Sequence, residues 1–577
     1  MVNRLPLIKS AFQKKHLSHP RLNEVLQWSH FHAKTMFLLV SALWIVLLYG
    51  RGICGPFIYD DLSHIQENPA LSSWENTLHY FRAGDTFAHD LLPGGGSAYR
   101  PLLWLSLAVD RHLWGLNPCG FHITNLILHW MCGFLSFILL RRMQVPTMLS
   151  VATCLLWLGL PINSEAVAWI SGRTYPLMYI FLMLSLLMAE SYLKKGSIPT
   201  LFLYSAALLG ALLSNEEGIL ALPLTMLLAY FSERTAQRRW LALALTGAVA
   251  DGVYLVSREL VSAHMPGGPP LFSIIGTLFF KYVAWMLLPL HMSVERSTDV
   301  PANRFSVIAA TAIVGLLCLL GMIYWLRKRL PLSAFGLIWM AIALLPFCGI
   351  VPIYQGMAER YVYLASFGFI LAIVAAVWQS KAAARSTLVC IVILWGLWGA
   401  WHLRSRVSDW NNPIALYQAS LETTPGSIKL LNNLGGAFET SRNLSKAMEC
   451  YKKALELNPK YVPAIIGIGN IDQRTGDMDG AEQEYRRAIT IEPSEEAAYC
   501  YLGALSFREG KIDSAIQNLS KAIVINPSDP TPYDDLGVVY QKMGDSERAI
   551  QMYNKVLALK PGDPEALTNL RTIESTR

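Results

Sequence analysis

Charge is scarce in this sequence: 15% of its 577 residues are Asp, Glu, Lys or Arg, whereas 53% are hydrophobic and 17 are Trp. Soluble globular chains carry roughly 25% charged residues, so an ordinary soluble protein is excluded. The nine Cys show no metal-ligand spacing and lie mostly in apolar runs or helical repeats, so we expect neither a zinc site nor a disulfide framework. A polytopic membrane protein is the class that remains.

Eleven apolar runs approach the length that crosses a bilayer as a helix. They lie at about 36–54, 121–140, 146–160, 175–193, 198–214, 218–232, 240–257, 306–326, 332–350, 361–379 and 386–403. A twelfth segment, Phe272 to Leu290, contains Lys281, and we expect it to be re-entrant or interfacial. The first run is too long for a signal-peptide core, so we expect it to remain as an anchor.

Basic residues fall on alternate loops between these runs. One side carries 18 Lys and Arg against three acidic residues, which predicts that this side, with the N-terminus, is cytoplasmic. After an odd number of spans the C-terminal region is then extracytoplasmic. The net charge of +7 is a topology signal and indicates no nucleic-acid partner. The predicted domains are a cytoplasmic tail (1–35), a transmembrane domain (36–409, with the first outer loop at 51–120) and an extracytoplasmic domain (410–577).

The C-terminal region is polar and strictly periodic. Glycine, alanine and aromatic positions recur every 34 residues, and so do five prolines. The prolines are Pro425, Pro459, Pro493, Pro527 and Pro561. This is the tetratricopeptide pattern, with four repeats over about 428–561, a half repeat before them and a capping helix after them. The predicted fold is therefore all-α, a helical membrane domain followed by an α-solenoid. Such an array binds a protein or peptide in its groove, or serves as a spacer or dimerisation surface.

Two adjacent carboxylates, Asp60 and Asp61, lie within ten residues of the end of the first apolar run. Like charges this close disfavour each other's ionisation, so the pair is a candidate for proton abstraction or metal binding. The alternative is that it caps a juxtamembrane helix.

Other polar residues also lie at the outer ends of spans, where they are costly unless used. His122, Asn125 and His129 are spaced to share one helix face. Each residue alone has a structural alternative, such as helix packing for the histidines, an ion pair for Glu359 with Arg360, or a solvated turn at Glu216-Glu217. The full set is Arg100, His122, Asn125, His129, Glu165, Arg173, Glu216, Glu359 and Arg360.

The order of the motifs is specific. Tyr59-Asp60-Asp61 precedes Tyr99-Arg100-Pro101, GFHITNLILH, PINSEAVAWISGR, AERYVYL and then the tandem repeats. This order resembles the transmembrane-and-tetratricopeptide-repeat O-mannosyltransferase family of the GT-C superfamily, and most closely its bacterial members. Two positions depart from the family pattern: Leu160-Pro161-Ile162-Asn163 stands where His-Pro-x-His is typical, and Asn215 stands where Lys often precedes Glu. These departures leave the sugar open.

The resemblance implies transfer of a sugar, mannose or another hexose, from a polyprenyl-phosphate donor to an extracytoplasmic acceptor. Asp60 would be the general base and Asp61 its orienting or acceptor-binding partner. Arg360 would bind the donor phosphate with Glu359 fixing its side chain, and Arg100 and Arg173 are second choices. The sugar or acceptor pocket would be lined by His122, Asn125, His129, Glu165, Glu216 and Glu359.

Three function classes remain. The first is a glycosyltransferase acting on Ser or Thr of proteins, with the repeats holding the acceptor. The second is a GT-C enzyme acting on a lipid or surface polysaccharide with the repeats as scaffold, and the third is a non-catalytic membrane assembly factor or transporter. No metal is required by the scheme, although the two Asp with Glu165 would suit a divalent ion. The expected location is the bacterial inner membrane with periplasmic repeats, and the alternative is the endoplasmic reticulum with luminal repeats.

Overall fold

The computed structural model describes residues 20–83, 99–232, 237–261, 275–296, 307–348, 357–560 and 562–576. These residues form helices and short turns, with no strand among them. They divide into two compact units, a membrane unit within residues 1–62 and 98–412 and a repeat unit within residues 63–97 and 413–577. The all-α fold is confirmed.

The α-helices are numbered in chain order. Up to the end of the membrane unit they are α1 (Pro20–Tyr49), α2 (Trp74–Ala83), α3 (Pro101–Trp114), α4 (Pro118–Arg142), α5 (Thr147–Leu158), α6 (Ser164–Ala168), α7 (Thr174–Lys195), α8 (Ile198–Ser214), α9 (Ala221–Phe231), α10 (Gln237–Val261), α11 (Ile275–Leu287), α12 (Val307–Arg329), α13 (Pro331–Leu344), α14 (Tyr363–Gln379) and α15 (Ala382–Asp409). The repeat unit continues with α16 (Pro413–Thr423), α17 (Ile428–Thr440), α18 (Leu444–Leu457), α19 (Val462–Thr475), α20 (Met478–Ile491), α21 (Glu496–Arg508), α22 (Ile512–Ile525), α23 (Thr531–Lys542), α24 (Ser546–Leu559) and α25 (Pro564–Thr576).

All eleven predicted apolar runs coincide with helices. Within the described residues, eight helices (α1, α4, α7, α10 and α12 to α15) are long and apolar enough to cross a membrane. A ninth span results if α5 and the segment Pro161–Ala168, which meet at a 56° bend, are counted together. Helices α8 and α9 are shorter, with 17 and 11 residues. The chain is therefore a multi-pass membrane protein, while the count of eleven spans stays a prediction.

Two boundaries differ from the sequence prediction. Helix α1 begins at Pro20, inside the segment predicted as a polar tail. Residues 63–83, predicted as part of the first outer loop, belong to the repeat unit and include α2. Within that segment the Asn68 side-chain amide donates to the Tyr80 hydroxyl at 3.0 Å, and both side chains are buried.

Helix α11 is the helical part of the segment Phe272 to Leu290, which was expected not to span; residues 272–274 lie outside the described residues. Its 13 residues rise about 20 Å, less than the roughly 30 Å of a bilayer core. It packs closely against α12, because a Cβ on Gly276 would lie 2.7 Å from the backbone of Ala312. The Trp395 indole of α15 donates to the Leu287 carbonyl at the end of α11 at 2.7 Å. These features support the re-entrant or interfacial placement.

An aromatic cluster holds α4, α5, α7 and α14 together. Trp157 stacks on Tyr179 with ring centroids 4.9 Å apart and meets Tyr363 edge-on at 5.2 Å. His129 accepts from the Tyr363 hydroxyl at Nδ1 (2.7 Å) and donates from Nε2 to the Leu158 carbonyl (3.2 Å). All four side chains are fully buried, so this core fixes the helices that carry the polar residues at their ends.

The repeat unit has the predicted architecture. Helix pairs α17–α18 to α23–α24 form four repeats, preceded by α16 and followed by α25. Small residues let the helices approach: a Cβ on Gly435 or Gly467 would lie 2.5 Å from the Tyr451 ring, which lies between these two glycines.

Candidate active site

The segment 159–173, here called the site loop, joins α5 to α7 and is buried at every residue. A buried loop must find hydrogen-bond partners for its backbone within the protein. The Asn125 side-chain amide of α4 supplies three, donating to the carbonyls of Val167, Trp169 and Ile170 at 3.1 to 3.2 Å. Asn125 is fully buried. Its contacts therefore position the site loop, and its place in a sugar pocket stays a prediction.

Asp61 anchors the first outer loop to the site loop. Its Oδ1 accepts from the backbone N–H and the hydroxyl of Ser171 at 2.8 and 2.6 Å, and Oδ2 accepts from the Ile58 N–H at 3.4 Å. The side chain is 1% exposed. Burial raises the pKa of Asp61 to about 7, although the Ser171 hydrogen bonds act to lower it. Both oxygens are already engaged in the fold.

Asp60 has a different environment from its neighbour. It is partly exposed where Asp61 is buried. Tyr59, which precedes it, has a left-handed φ of 63°, a strained value for a bulky residue, and its ring meets Trp169 of the site loop edge-on at 6.0 Å. The strained residue and the Asp61 anchor together fix the backbone on both sides of the more accessible carboxylate.

Arg360 is held by the site loop. Glu165 accepts from the Arg360 backbone N–H at 2.9 Å and from its guanidinium, so one carboxylate fixes both the backbone and the side chain. Both residues are buried, and the guanidinium lies 5.5 Å from the Trp169 ring. The sequence placed these residues at separate span ends, and the fold brings them into one pair.

Glu359 does not hold Arg360. Its Oε1 accepts from the Arg296 guanidinium at 2.6 and 3.1 Å and from the Ser293 N–H at 2.6 Å. The prediction that Glu359 fixes the Arg360 side chain is therefore wrong. Arg296, which also stacks on Trp285 at 4.1 Å, was missed. The available signal was a cation a few residues after an apolar segment that does not span.

Arg100 pairs with Glu216 across 2.8 Å, and both side chains remain more than a quarter exposed. Burial acts to raise the pKa of Glu216, but the charge and hydrogen bond of Arg100 outweigh it and lower that pKa below its usual value. The neighbouring Glu217 is 7% exposed, so the solvated-turn alternative is wrong for it. Its backbone N–H donates to Asn215 Oδ1 at 2.9 Å.

Arg173 is a structural cation. It is fully buried, lies 2.6 Å from the Asp110 carboxylate and donates to the Phe121 carbonyl at 3.1 Å. Asp110 in turn accepts from the Thr124 hydroxyl at 2.8 Å. The structure thus gives Arg173 a structural partner, and its role as a second-choice phosphate ligand stays a prediction.

The two histidines have different surroundings. His122 and His129 lie on the same buried face of α4, as their spacing predicted. His129 is fully buried with both ring nitrogens engaged in the aromatic cluster, so its part in a sugar pocket stays a prediction. His122 is 6% exposed and donates from Nε2 to the Gly55 carbonyl at 3.2 Å. It therefore links α4 to the chain just before Asp60.

A disulfide joins Cys54 to Cys119 across 65 residues. It ties the chain before Asp60 to the first turn of α4, three residues before His122. The sequence prediction of no disulfide is thus wrong, because two Cys on either side of a long loop carry no recognisable spacing.

Elsewhere in the described chain, one set of Glu, Cys and Asp brings its ligand atoms within 4.8 Å of one another: Glu496, Cys500 and Asp529. Asp60, Asp61 and Glu165 do not form such a set.

Comparison with known proteins supports both units. Tetratricopeptide-repeat family models match residues 428–461, 462–495, 505–544 and 531–563. Protein O-mannosyl-transferase TMTC3 of Mus musculus is 25% identical over 72% of this chain and 50% of its own length. TMTC4 of Homo sapiens is 26% identical over 71% and 65%, and F38B6.6 of Caenorhabditis elegans is 23% identical over 70% and 59%.

The chain thus spans half to two thirds of the length of these curated relatives. The matches extend over about 70% of the chain, well beyond the repeats, in agreement with the motif order in the membrane unit. Over this length the chain is similar to curated proteins that are named protein O-mannosyl-transferases.

Proposed function

We propose that this protein is an integral-membrane glycosyltransferase. It moves mannose or another hexose from a polyprenyl-phosphate donor to Ser or Thr hydroxyls of extracytoplasmic proteins. The observation that carries the proposal is the convergence on one buried loop of Asp61, through Ser171, and of Arg360, through Glu165. A carboxylate pair and a guanidinium from distant parts of the chain are thereby fixed around the same segment. The names of the curated relatives support the same reaction.

Asp60 is the general base in this scheme. It takes the proton of the acceptor hydroxyl as the hydroxyl oxygen forms a bond to the anomeric carbon, and the bond from that carbon to the phosphate oxygen breaks. The electron pair leaves with polyprenyl phosphate. Asp61 is a positioning residue, because both of its oxygens are engaged by Ser171 and Ile58. Arg360 and the more exposed Arg100 stabilise the charge on the leaving phosphate.

An apolar groove in the membrane unit supports a lipid-linked donor. It has a volume of about 570 Å³ and lies between α5, α14 and α15. Arg385 is the charged residue among those lining it. The groove reaches Gly159 to Pro161, where the site loop begins, and Pro289, seven residues before Arg296. An isoprenoid chain in this groove would have its phosphate end near the paired guanidiniums.

The site is assigned to the extracytoplasmic side. The charge distribution supports an outer position for the first loop, and a disulfide such as Cys54–Cys119 persists in an oxidising compartment. Residues 63–83 and the repeats share one compact unit, which supports an even number of crossings between them. The repeats are then periplasmic in a bacterial inner membrane, or luminal in the endoplasmic reticulum, where they present the acceptor.

Radiolabelled polyprenyl-phosphate mannose supplied to membranes containing the full chain tests this proposal. Label should enter protein and be released by β-elimination, as expected for sugars on Ser or Thr. The Asp60→Asn variant is the matched control and should transfer little label. Label in lipid or polysaccharide would instead favour the second function class, and absence of transfer with every acceptor would overturn the proposal.

A further inference from the structure

The carboxylate of Glu217 is the buried acidic group that the reaction scheme leaves unused. The side chain is 7% exposed, and neither of its oxygens has a hydrogen-bond donor among the described residues. An ionised carboxylate in this state is costly, since a buried acceptor without a donor loses the hydrogen bonds that water gave it. Burial accordingly raises the pKa of Glu217 well above its usual value.

The backbone around this carboxylate is rigid. Asn215 Oδ1 accepts from the Glu217 N–H at 2.9 Å, and the next residue packs against α8 so tightly that a Cβ on Gly218 would lie 2.5 Å from the backbone of Ala211 and Leu212. The turn that carries Glu217 is therefore closely packed. The missing donors at its carboxyl group point to a ligand that supplies them.

The charges near Glu217 restrict the chemical class of ligand that can bind it. The charges of Arg100 and Arg360 both act on Glu217, yet Arg100 is paired with Glu216 and Arg360 with Glu165. Glu217 is thus beside the two cations assigned to the donor phosphate but is neutralised by neither. A second anion is disfavoured at that carboxylate, whereas a neutral group with two adjacent hydroxyls can donate to both oxygens at once. An acceptor Ser or Thr would supply one hydroxyl and leave an oxygen without a donor.

We propose that Glu217 binds the hydroxyl groups of the donor's hexose and is a sugar-specificity residue of this enzyme. The inference rests on the proposed function, because it takes the donor phosphate to lie at Arg360 and Arg100. A site whose buried polar group needs a substrate hydroxyl rejects ligands that lack it.

Binding of two lipids to the full chain in nanodiscs tests the proposal: polyprenyl-phosphate mannose and polyprenyl phosphate without sugar. The wild-type chain should bind the mannosylated lipid at least about 10-fold more tightly, as expected for charged hydrogen bonds. Glu217→Gln should lose most of that ratio while binding the bare lipid as well as the wild type does. Asp251→Asn is the matched control, since Asp251 is also a buried carboxylate with an oxygen lacking a donor, but it lies within α10. It should leave the ratio unchanged.

Each other result has a defined meaning. A Glu217→Gln chain that keeps the wild-type ratio would overturn the assignment of Glu217 and leave the proposed function intact. Equal binding of both lipids by the wild type would do the same. A wild type that binds neither lipid would overturn the proposed function and this inference with it. Should Glu217→Gln fail to fold, Glu217→Asp keeps the carboxyl group but withdraws it by one carbon, and the same loss of ratio is expected.

Discussion

Asp60 and Asp61 are adjacent, but their surroundings predict that their amide variants fail for different reasons. Asp60 is partly exposed, so Asp60→Asn keeps nearly the same side-chain shape and removes the ability to accept a proton at neutral pH. We expect turnover to fall roughly 100-fold or more, the usual contribution of a general base. Donor affinity and thermal stability should stay close to those of the wild type.

Asp61→Asn should lower the stability of the fold. The carboxylate accepts three hydrogen bonds, two from Ser171 and one from Ile58, and an amide has only one oxygen with which to accept them. At least one buried N–H or O–H then faces an NH2 group. Leaving such a donor unsatisfied costs about 1–3 kcal/mol. The site loop that carries Glu165 should loosen, and the apparent melting temperature should fall by several degrees.

The Asp61 pKa also predicts the sign of a pH effect. The folded-state pKa is about 7, above the unfolded-state value of about 3.9. The contribution of Asp61 to the free energy of unfolding is therefore fully present below about pH 4 and is lost as pH rises towards 7. Asn does not titrate, so the difference in melting temperature between wild type and Asp61→Asn should be largest near pH 4 and shrink by pH 7.

Thermal unfolding in detergent and transfer of radiolabelled mannose, measured on the same preparations, separate the two variants. Near wild-type turnover of Asp60→Asn together with a stable, inactive Asp61→Asn would show that Asp61 is the base. Activity of both variants would show that the transfer site lies elsewhere.

Three further outcomes are expected. Arg360→Lys should weaken donor binding with little change in the pH profile because it loses the guanidinium fork, whereas Arg173→Lys should mainly lower the melting temperature; equal losses of donor affinity would contradict this division. Cys54→Ser should lower the melting temperature of the oxidised protein and abolish its sensitivity to reductant, and an unchanged response would show that Cys119 is not its partner. Deleting residues 428–577 should leave donor binding intact and sharply reduce transfer to the natural acceptor; undiminished transfer would make the repeats a scaffold.

The features predicted correctly from sequence are those encoded locally. A 34-residue period fixes the repeats, because each helix pair packs mainly on its sequence neighbours. The apolar runs likewise identify the helices of the membrane unit. The partners of the charged residues were predicted poorly, since the bond from Asp61 to Ser171 joins residues 110 apart and the pair of Arg360 with Glu165 joins residues 195 apart. No local pattern specifies which of several distant polar residues will meet.

The error over Glu359 has a geometric cause. Glu359 and Arg360 are adjacent in a 3-10 turn at the start of a span, and adjacent residues on a helix point in different directions. Each residue therefore forms an ion pair with a different partner. Glu359 binds Arg296 from the segment after α11, and Arg360 binds Glu165 from the site loop. One turn of helix thereby joins two loops that lie far apart in sequence. The Glu-Arg pair is best understood as a connector, which is why replacing either residue should disturb a different side of the site.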